Sequence, residues 1–595
     1  MKKRPERTLS RRVPPRWRCP VTSLTICSER QRLLDTDGPL LVLGGPGSGK
    51  TTIALLKADR ELRAGKLERG QKILFLSFAR ATITRVAQHA RFHISTSYQN
   101  ALEVNTYHGF AWALLQSHGY LLRPHKAIRL LLPPEAASRT VHIPKDDRPK
   151  EIQRLYDEEG ILGFDLFAQL AAELLFRSKR LAAIISDTYP IIIVDEFQDT
   201  NADEWAMIQA LGNGSRLIAL ADAEQRIYEF RGANPARIGE FITACKPTSF
   251  DFGTQNNRSA GTDIVQFGND LLSGTHKGKT YANVTVSRYQ FYRGKNPIFP
   301  LKTALFQSIK RLTKAKVPNF SIAILVSTKI LMARVSDYLS QQTDDLPPVS
   351  HDVALDQEGP ALAAMVITDL MGATEENSKD IARRLLSNLV EHMRGRGSGT
   401  ISKANLALAD AIDSYLKTGK VTGKNRKQIV ADAEAIGAAL PAMAMTGDPN
   451  ADWLAIRRLL EQAQSDVIKA AADDARYLRL LQRGTILRES LNELWRSTST
   501  YRGARTAVEN ALSQEHFSAS IRDWSGVNVM TIHKSKGKEF DEVLIFEEAK
   551  SNRLVRENAT SKDVAQSTLV LRVGVTRAKR QTTILTPQWA PCPLL

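Results

Sequence analysis

Short uninterrupted apolar runs recur along the chain, each followed by a loop and then a longer amphipathic stretch. A strand buried on both faces reads as a continuous apolar run, so this rhythm predicts parallel strands covered by helices, an α/β doubly wound architecture. The runs fall into two sets, Leu40–Leu43, Ile73–Leu76, Ile191–Val194 and Leu217–Leu220, then Ile322–Val326, Val527–Thr531, Val543–Phe546 and Thr582–Leu585. Two parallel sheets are therefore expected. Each is interrupted by a stretch with helical spacing, the second containing Lys403–Leu416, Ile429–Ala444 and Asp466–Leu481. Pro, Gly and Ser at Leu346–Val349 and Arg394–Thr400 mark loops. The predicted division is 21–90 with 189–255 as a first α/β domain carrying a helical insertion at 91–188. A second domain, 256–345 with 521–595, carries a helical insertion at 346–520.

At 595 residues and 43% hydrophobic content the chain can bury more than one core. No run approaches the roughly 20 apolar residues of a membrane span, and no apolar leader follows the first methionine, so a cytoplasmic protein without membrane partners is expected. Cys19, Cys27, Cys245 and Cys592 are scattered, which argues against zinc ribbons and disulfide frameworks. The net charge of +19 points to a polyanionic partner, because Lys and Arg release counterions from phosphates. Residues 1–20 carry eight basic side chains against Glu6 alone and read as a disordered basic tail, open to DNA contact, a targeting leader or a misassigned start.

The first chemical signal follows the run Leu40–Leu43. Gly44-Gly45-Pro46-Gly47-Ser48-Gly49-Lys50-Thr51 fits a phosphate-binding loop, with helical spacing from Thr52 to Leu56 after it. Gly45, Gly47 and Gly49 let the backbone curl, and the N–H groups of Ser48 and its neighbours point at phosphate oxygens. Lys50 neutralises β/γ charge and the Thr51 hydroxyl is a Mg²⁺ ligand. The second half of such a site is an acidic pair at a neighbouring strand end, supplied by Asp195-Glu196 after Ile191–Val194. Asp195 is the expected Mg²⁺ holder and Glu196 the expected general base. ATP and Mg²⁺ are thus the expected substrate and ion.

Asp195-Glu196-Phe197-Gln198-Asp199-Thr200 resembles motif II of the UvrD/Rep/PcrA group of superfamily 1 DNA helicases, and further motifs follow in the family's order. Gln31 resembles the glutamine that reads the adenine edge, Ser77–Ala81 resembles motif Ia, and Thr106-Tyr107-His108-Gly109 resembles the next DNA-facing motif. Ala221–Ala233 resembles motif III, Asn256–Ser259 motif IV, Thr531–Phe540 motif V and Val573–Ala578 motif VI. The resemblance implies two RecA-like doubly wound parallel-sheet domains, each interrupted by a mainly α-helical subdomain, with ATP between them. It implies that Gln225, Arg258 and Arg577 sense the γ-phosphate, Arg577 as an arginine finger, and that Glu539 contacts the ribose. Phe78, Tyr228 and Phe230 would offer faces to bases, while Thr106, His108, Thr531, His533 and Lys536 belong to the DNA-facing motifs.

Some positions depart from the family pattern. Thr52 and Asn257 stand where an Arg and a Tyr commonly clamp adenine, which predicts relaxed purine selectivity or a high KM for ATP. Ala81 replaces a Lys in motif Ia, and Ala221 and Phe230 replace Gly and Trp in motif III, predicting weaker DNA grip. Gln566–Val570 replaces the charged lead into motif VI, and the short stretch after Arg577 predicts no fused nuclease. Two functional readings stand at this point. One is a 3′→5′ motor on single-stranded and tailed duplex DNA. The other is a DNA-sensing ATPase subunit that regulates a separate nuclease, or serves a repair protein, and unwinds little. A DNA-independent NTPase is a third, disfavoured by the retained Lys50, Glu196 and Arg577.

Overall fold

The computed structural model describes residues 26–78, 80–124, 127–222, 234, 236–253, 258–291, 294–342, 345–353, 358–396, 401–475, 485–517 and 524–595. The basic tail lies outside these, as do Gln225, Tyr228, Phe230 and Asn257. In chain order the strands are β1 Leu40–Leu43, β2 Ile73–Ser77, β3 Leu102–Thr106, β4 Arg129–Leu131, β5 Ile161–Gly163, β6 Ile191–Val194, β7 Arg216–Ala221 and β8 Thr248–Asp251. They continue with β9 Val284–Tyr289, β10 Ser321–Val326, β11 His351–Val353, β12 Gly526–Thr531, β13 Phe540–Phe546 and β14 Ala578–Pro587. Two six-stranded sheets result, ordered β3-β2-β6-β7-β1-β8 and β11-β12-β10-β13-β14-β9. All pairs in both are parallel.

The central strands are the apolar runs of the sequence, and their two faces feed separate cores. In the first sheet Ile73, Phe75 and Ile193 pack on one side, Leu74, Leu76 and Ile192 on the other. In the second, Ala323, Leu325 and Ile545 oppose Ile322, Ile324 and Leu544. Each strand is thus buried on both faces, which a parallel sheet requires.

The expected insertion borders are corrected at two strands. β3 lies inside 91–188, yet it extends the first sheet, pairing in register with β2 from Ile73↔Leu102 to Ser77↔Thr106. β11 lies inside 346–520 and pairs with β12, His351 opposite Val527. The first insertion, expected to be mainly helical, also contains β4 and β5, which form a small parallel sheet of their own. Among the helices, Lys403–Thr418 matches its expected span. Lys424–Ala439 starts earlier than read and gives way at Leu440–Ala442, where Pro441 cannot continue the α-helical ladder. Asp466–Ala475 is helical, and the remainder of the span read to Leu481 lies outside the described residues.

The two insertions share one continuous core with a face of the first sheet, joining Leu41 and Val194 through Phe167 and Leu174 to Leu385, Ile412 and Trp453. The helix Pro133–Arg139 packs against the helix Ser378–Gly395. At that contact a Cβ on Gly395 would stand 2.6 Å from the Pro134 carbonyl, so only glycine permits the approach. His142 Nε2 reaches Asp410 Oδ1 across the same seam at 2.9 Å.

Candidate active site between the two sheets

The functional side chains of the first domain sit at the C-terminal ends of its parallel strands, the usual ligand position in open α/β sheets, while Glu539 and Arg577 of the second domain stand directly before β13 and β14. The loop after β1 turns through left-handed backbone at Gly47 (φ 75°) and Gly49 (φ 89°), conformations that suit residues without a Cβ. Gly49 is the N-cap of the helix Lys50–Arg63, so Lys50 and Thr51 occupy its first turn, where free N–H groups and the helix dipole favour an anion. Lys50 Nζ curls over the loop, donating to the carbonyls of Gly44 at 2.5 Å and Gly45 at 3.2 Å. Gly45 N–H is tied to the Gly253 carbonyl at 3.0 Å, which fixes the loop against the segment after β8.

The helix Ser28–Asp35, bearing Gln31, is anchored to this loop. Arg30 Nη2 donates to the Ser48 carbonyl at 2.9 Å while its guanidinium lies over the Phe252 ring at 4.8 Å. The end of that helix is held by Lys57 Nζ, which donates at 2.8 Å to the carbonyls of both Leu34 and Thr36. Gln31 itself is exposed, with its amide on the Asp35 carboxylate at 3.1 and 3.3 Å. Thr52 is half-buried one position after Thr51.

At the end of β6, Asp195 is buried, and its N–H donates to the Leu76 carbonyl at 2.8 Å. Glu196 adopts left-handed backbone (φ 54°), a conformation that costs a non-glycine residue about 1 kcal/mol or more and turns the chain sharply. Lys536, from the loop after β12, crosses from the second domain. Its buried ammonium contacts the Asp199 carboxylate and lies 3.7 Å from Glu196 Oε2. An unpaired buried ammonium would cost several kcal/mol, so these two carboxylates are what allow Lys536 to sit there. Burial pushes the Asp199 carboxyl up to about 7 against the opposing Lys536 charge, with the Glu196 charge adding to the rise. Burial also works to raise Glu196, but Lys536, Lys50, the Gln198 amide and Arg577 together hold it below the ordinary carboxylate value. Glu196 therefore feels Lys50 of its own domain and two cations of the other.

Arg577 is buried, with Nε donating to the Val573 carbonyl at 2.9 Å. Arg258 Nε donates to Glu539 Oε1 at 2.9 Å and its Nη1 to the Thr576 carbonyl at 3.1 Å. Residues distant in sequence, from motifs IV, V and VI, thus form one cluster. Thr51 and Asp195 offer a hydroxyl and a carboxylate, hard oxygen donors of the kind Mg²⁺ takes. The glycine curl, the helix terminus and Lys50 suit a polyphosphate.

The residues read as DNA-facing fall on neighbouring strand ends. Phe78, after β2, lies half-buried with its ring 4.5 Å from that of Tyr107. Thr106 is buried and caps the helix Tyr107–His118, accepting from Gly109 N–H at 2.8 Å. His108 is half-buried beside Phe164 and Phe167, at 6.4 and 6.1 Å. Thr531 is the buried N-cap of the short helix Ile532–Ser535, while His533 is held below its ordinary pKa by burial and then by Lys536. Lys536, read as a DNA contact, instead points into the carboxylate cluster. Spacing alone could not tell which side of the cleft it faces.

One cross-domain residue escaped the sequence reading. Arg572 is buried within the otherwise apolar Leu569–Val575, and its Nη1 stands 4.0 Å from Asp222 Oδ1 of the first domain. The lone charge in an apolar helical run was the available signal.

Comparison with known proteins agrees with this geometry. Residues 27–148 and 135–246 match the UvrD/REP helicase N-terminal domain, and 256–588 match the UvrD-like helicase C-terminal domain. The chain is 21% identical to a probable DNA helicase II homolog of Rickettsia conorii, across 93% of this chain and 91% of that protein. It is 25% identical to DNA helicase II of Escherichia coli, over 42% of this chain and 40% of that one. Against the exonuclease/helicase subunit RexA of Lactococcus lactis subsp. cremoris it is 24% identical over 65% of this chain, spanning 36% of the relative. Two domain models that together span nearly the whole chain, and the cleft they meet across, place this protein in the UvrD/Rep-like family of superfamily 1 helicases.

Proposed function

We propose that this protein is an ATP-driven 3′→5′ translocase on single-stranded DNA that separates tailed duplexes. The observation that carries the reading is the meeting of the two domains at Glu196, whose Oε2 lies 3.7 Å from Lys536 Nζ of the second domain and accepts from Gln198 Nε2 at 2.7 Å. A carboxylate so placed accepts a proton from an attacking water, and its chemistry depends on the second domain being seated. Lys50 and the glycine loop hold the phosphates of ATP, and Arg577 and Arg258 meet the γ-phosphate from the other side. Thr51 and Asp195 would hold Mg²⁺, which would supply charge neutralisation to the bound polyphosphate. Glu539 and Gln31 orient the ribose and base. Gln225, Tyr228 and Phe230 complete the nucleotide sensor and base-stacking surface in this reading, together with Phe78. Alternate closing and opening of the cleft moves the strand. The polarity rests on the likeness of the motifs to the 3′→5′ branch.

The experiment is strand separation with ATP and Mg²⁺ on duplexes bearing a 3′ or a 5′ tail, with Lys50→Ala as the blank. Unwinding from the 3′ tail alone is expected; a 5′ preference overturns the polarity. A second reading, a DNA-sensing ATPase that works with a separate nuclease, draws support from the relative named as an exonuclease/helicase subunit. It predicts DNA-stimulated hydrolysis without strand separation and stable co-purification with a nuclease.

A further inference from the structure

Glu196 is oriented by more than the surrounding cations. Its Oε2 accepts from Gln198 Nε2 at 2.7 Å, and Gln198 Oε1 accepts the backbone N–H of Asp222 at 3.0 Å. An amide satisfies this pair of neighbours in one orientation only, since flipping it would set its oxygen against the carboxylate and its NH₂ against an N–H. Gln198 therefore transmits the position of Asp222, just after β7, to Glu196. Asp222 in turn faces Arg572 of the second domain, Nη1 to Oδ1 at 4.0 Å, and Arg572 is braced at home by Asn269 Oδ1 at 3.0 Å. Exposure is 1% at Gln198, 5% at Asp222 and 1% at Arg572, so the line is shielded from water throughout. In such surroundings, removing one member of the pair leaves the other charge buried without its opposite.

We propose that Arg572, Asp222 and Gln198 form a positioning relay that aims the Glu196 carboxylate only while the second domain is seated against the first. The relay rests on the reading of Glu196 as the group that acts on the attacking water. It makes hydrolysis sensitive to domain closure by a route separate from direct contact with the nucleotide. In this relay Arg572 acts on Glu196 through two intermediaries, Asp222 and Gln198.

The test is steady-state ATP hydrolysis by the full chain with an oligo(dT) strand, in Arg572→Leu, Gln198→Leu and their double variant, with Glu196→Gln as the reference loss. Affinity for a fluorescent ATP analogue is measured separately. Each single variant is expected to lower kcat about tenfold or more, with KM and analogue affinity held within about twofold. The double variant is expected to fall no further than the worse single one, because breaking a line twice adds nothing. Arg572→Lys and Asp222→Asn, closer in shape, keep the test alive if the leucine variants fail to fold; both should lower kcat by a smaller factor with affinity kept. Unchanged kcat, losses that multiply, or affinity falling in parallel with kcat overturn the relay. If Glu196→Gln still turns over, the reading of Glu196 fails and the relay with it. If Glu196→Gln is inactive while Arg572→Leu turns over normally, the relay alone fails.

Discussion

At the scale of single residues, Lys50 and Glu196 divide the work of the proposed hydrolysis. Lys50→Ala removes a charge from the phosphate cradle, whereas Glu196→Gln leaves the cradle whole and removes the proton acceptor. ATP affinity should fall in the first and persist in the second, with turnover abolished in both, as read by equilibrium binding and hydrolysis. Equal loss of binding would contradict the division. The thiols offer an independent check on local electrostatics. Cys27, at the N-cap of the helix Ser28–Asp35, is lowered chiefly by the Arg30 backbone N–H, whereas burial and the Glu547 charge push Cys592 up to about 12. The thiolate is the reactive form, so at pH 8 a maleimide should label Cys27 rapidly and leave Cys592 unmodified in the folded protein, as located by peptide mass spectrometry. Early labelling of Cys592 would mean that the carboxyl-terminal segment opens.

At the scale of elements, motif II depends on what lies beneath it. Phe197 is completely buried, its ring 5.4 Å from Trp205 and 5.1 Å from Phe241. Phe197→Ala should cost about 3–5 kcal/mol of local stability and loosen the backbone that carries Asp195 and Glu196, lowering both the melting temperature and kcat. A variant that melts as the parent does would deny that this aromatic cluster supports the site. The elements also show what the sequence made legible. Central strands such as β1 and β6 are apolar throughout, and β10 is so after Ser321, because both faces are covered, and they are readable as runs. β3, Leu-Glu-Val-Asn-Thr, and β9, Val-Thr-Val-Ser-Arg-Tyr, lie at sheet edges and mix polar residues among apolar ones, so neither forms a continuous apolar run. The phosphate loop and the acidic pair were legible because their chemistry is local. The side of the cleft that Lys536 faces, and the reach of Arg572 to Asp222, depend on how two distant domains meet, and no local pattern encodes that.

At the scale of the whole molecule, the net charge of +19 makes a testable demand on any polyanion it binds. Raising salt from about 50 to about 200 mM should weaken oligo(dT) binding about tenfold or more, with log affinity linear in log salt. A flat dependence in a fluorescence anisotropy titration would remove phosphate contact as the main source of affinity. The architecture also bears on how the molecule comes into being. In the second sheet β12 sits between β10 and β11, yet it is encoded after the whole helical insertion that follows β11. A ribosome working from the amino terminus therefore completes the first sheet and the insertion core while β10 still lacks both neighbours, β12 and β13. Until those arrive, a flat apolar strand has two open edges, the condition most prone to pairing with another nascent chain. The half of the protein that supplies Lys536, Arg572 and Arg577 is thus the last to become safe from aggregation. A newly made chain holds its phosphate loop and its acidic pair before it has the partner domain that completes them.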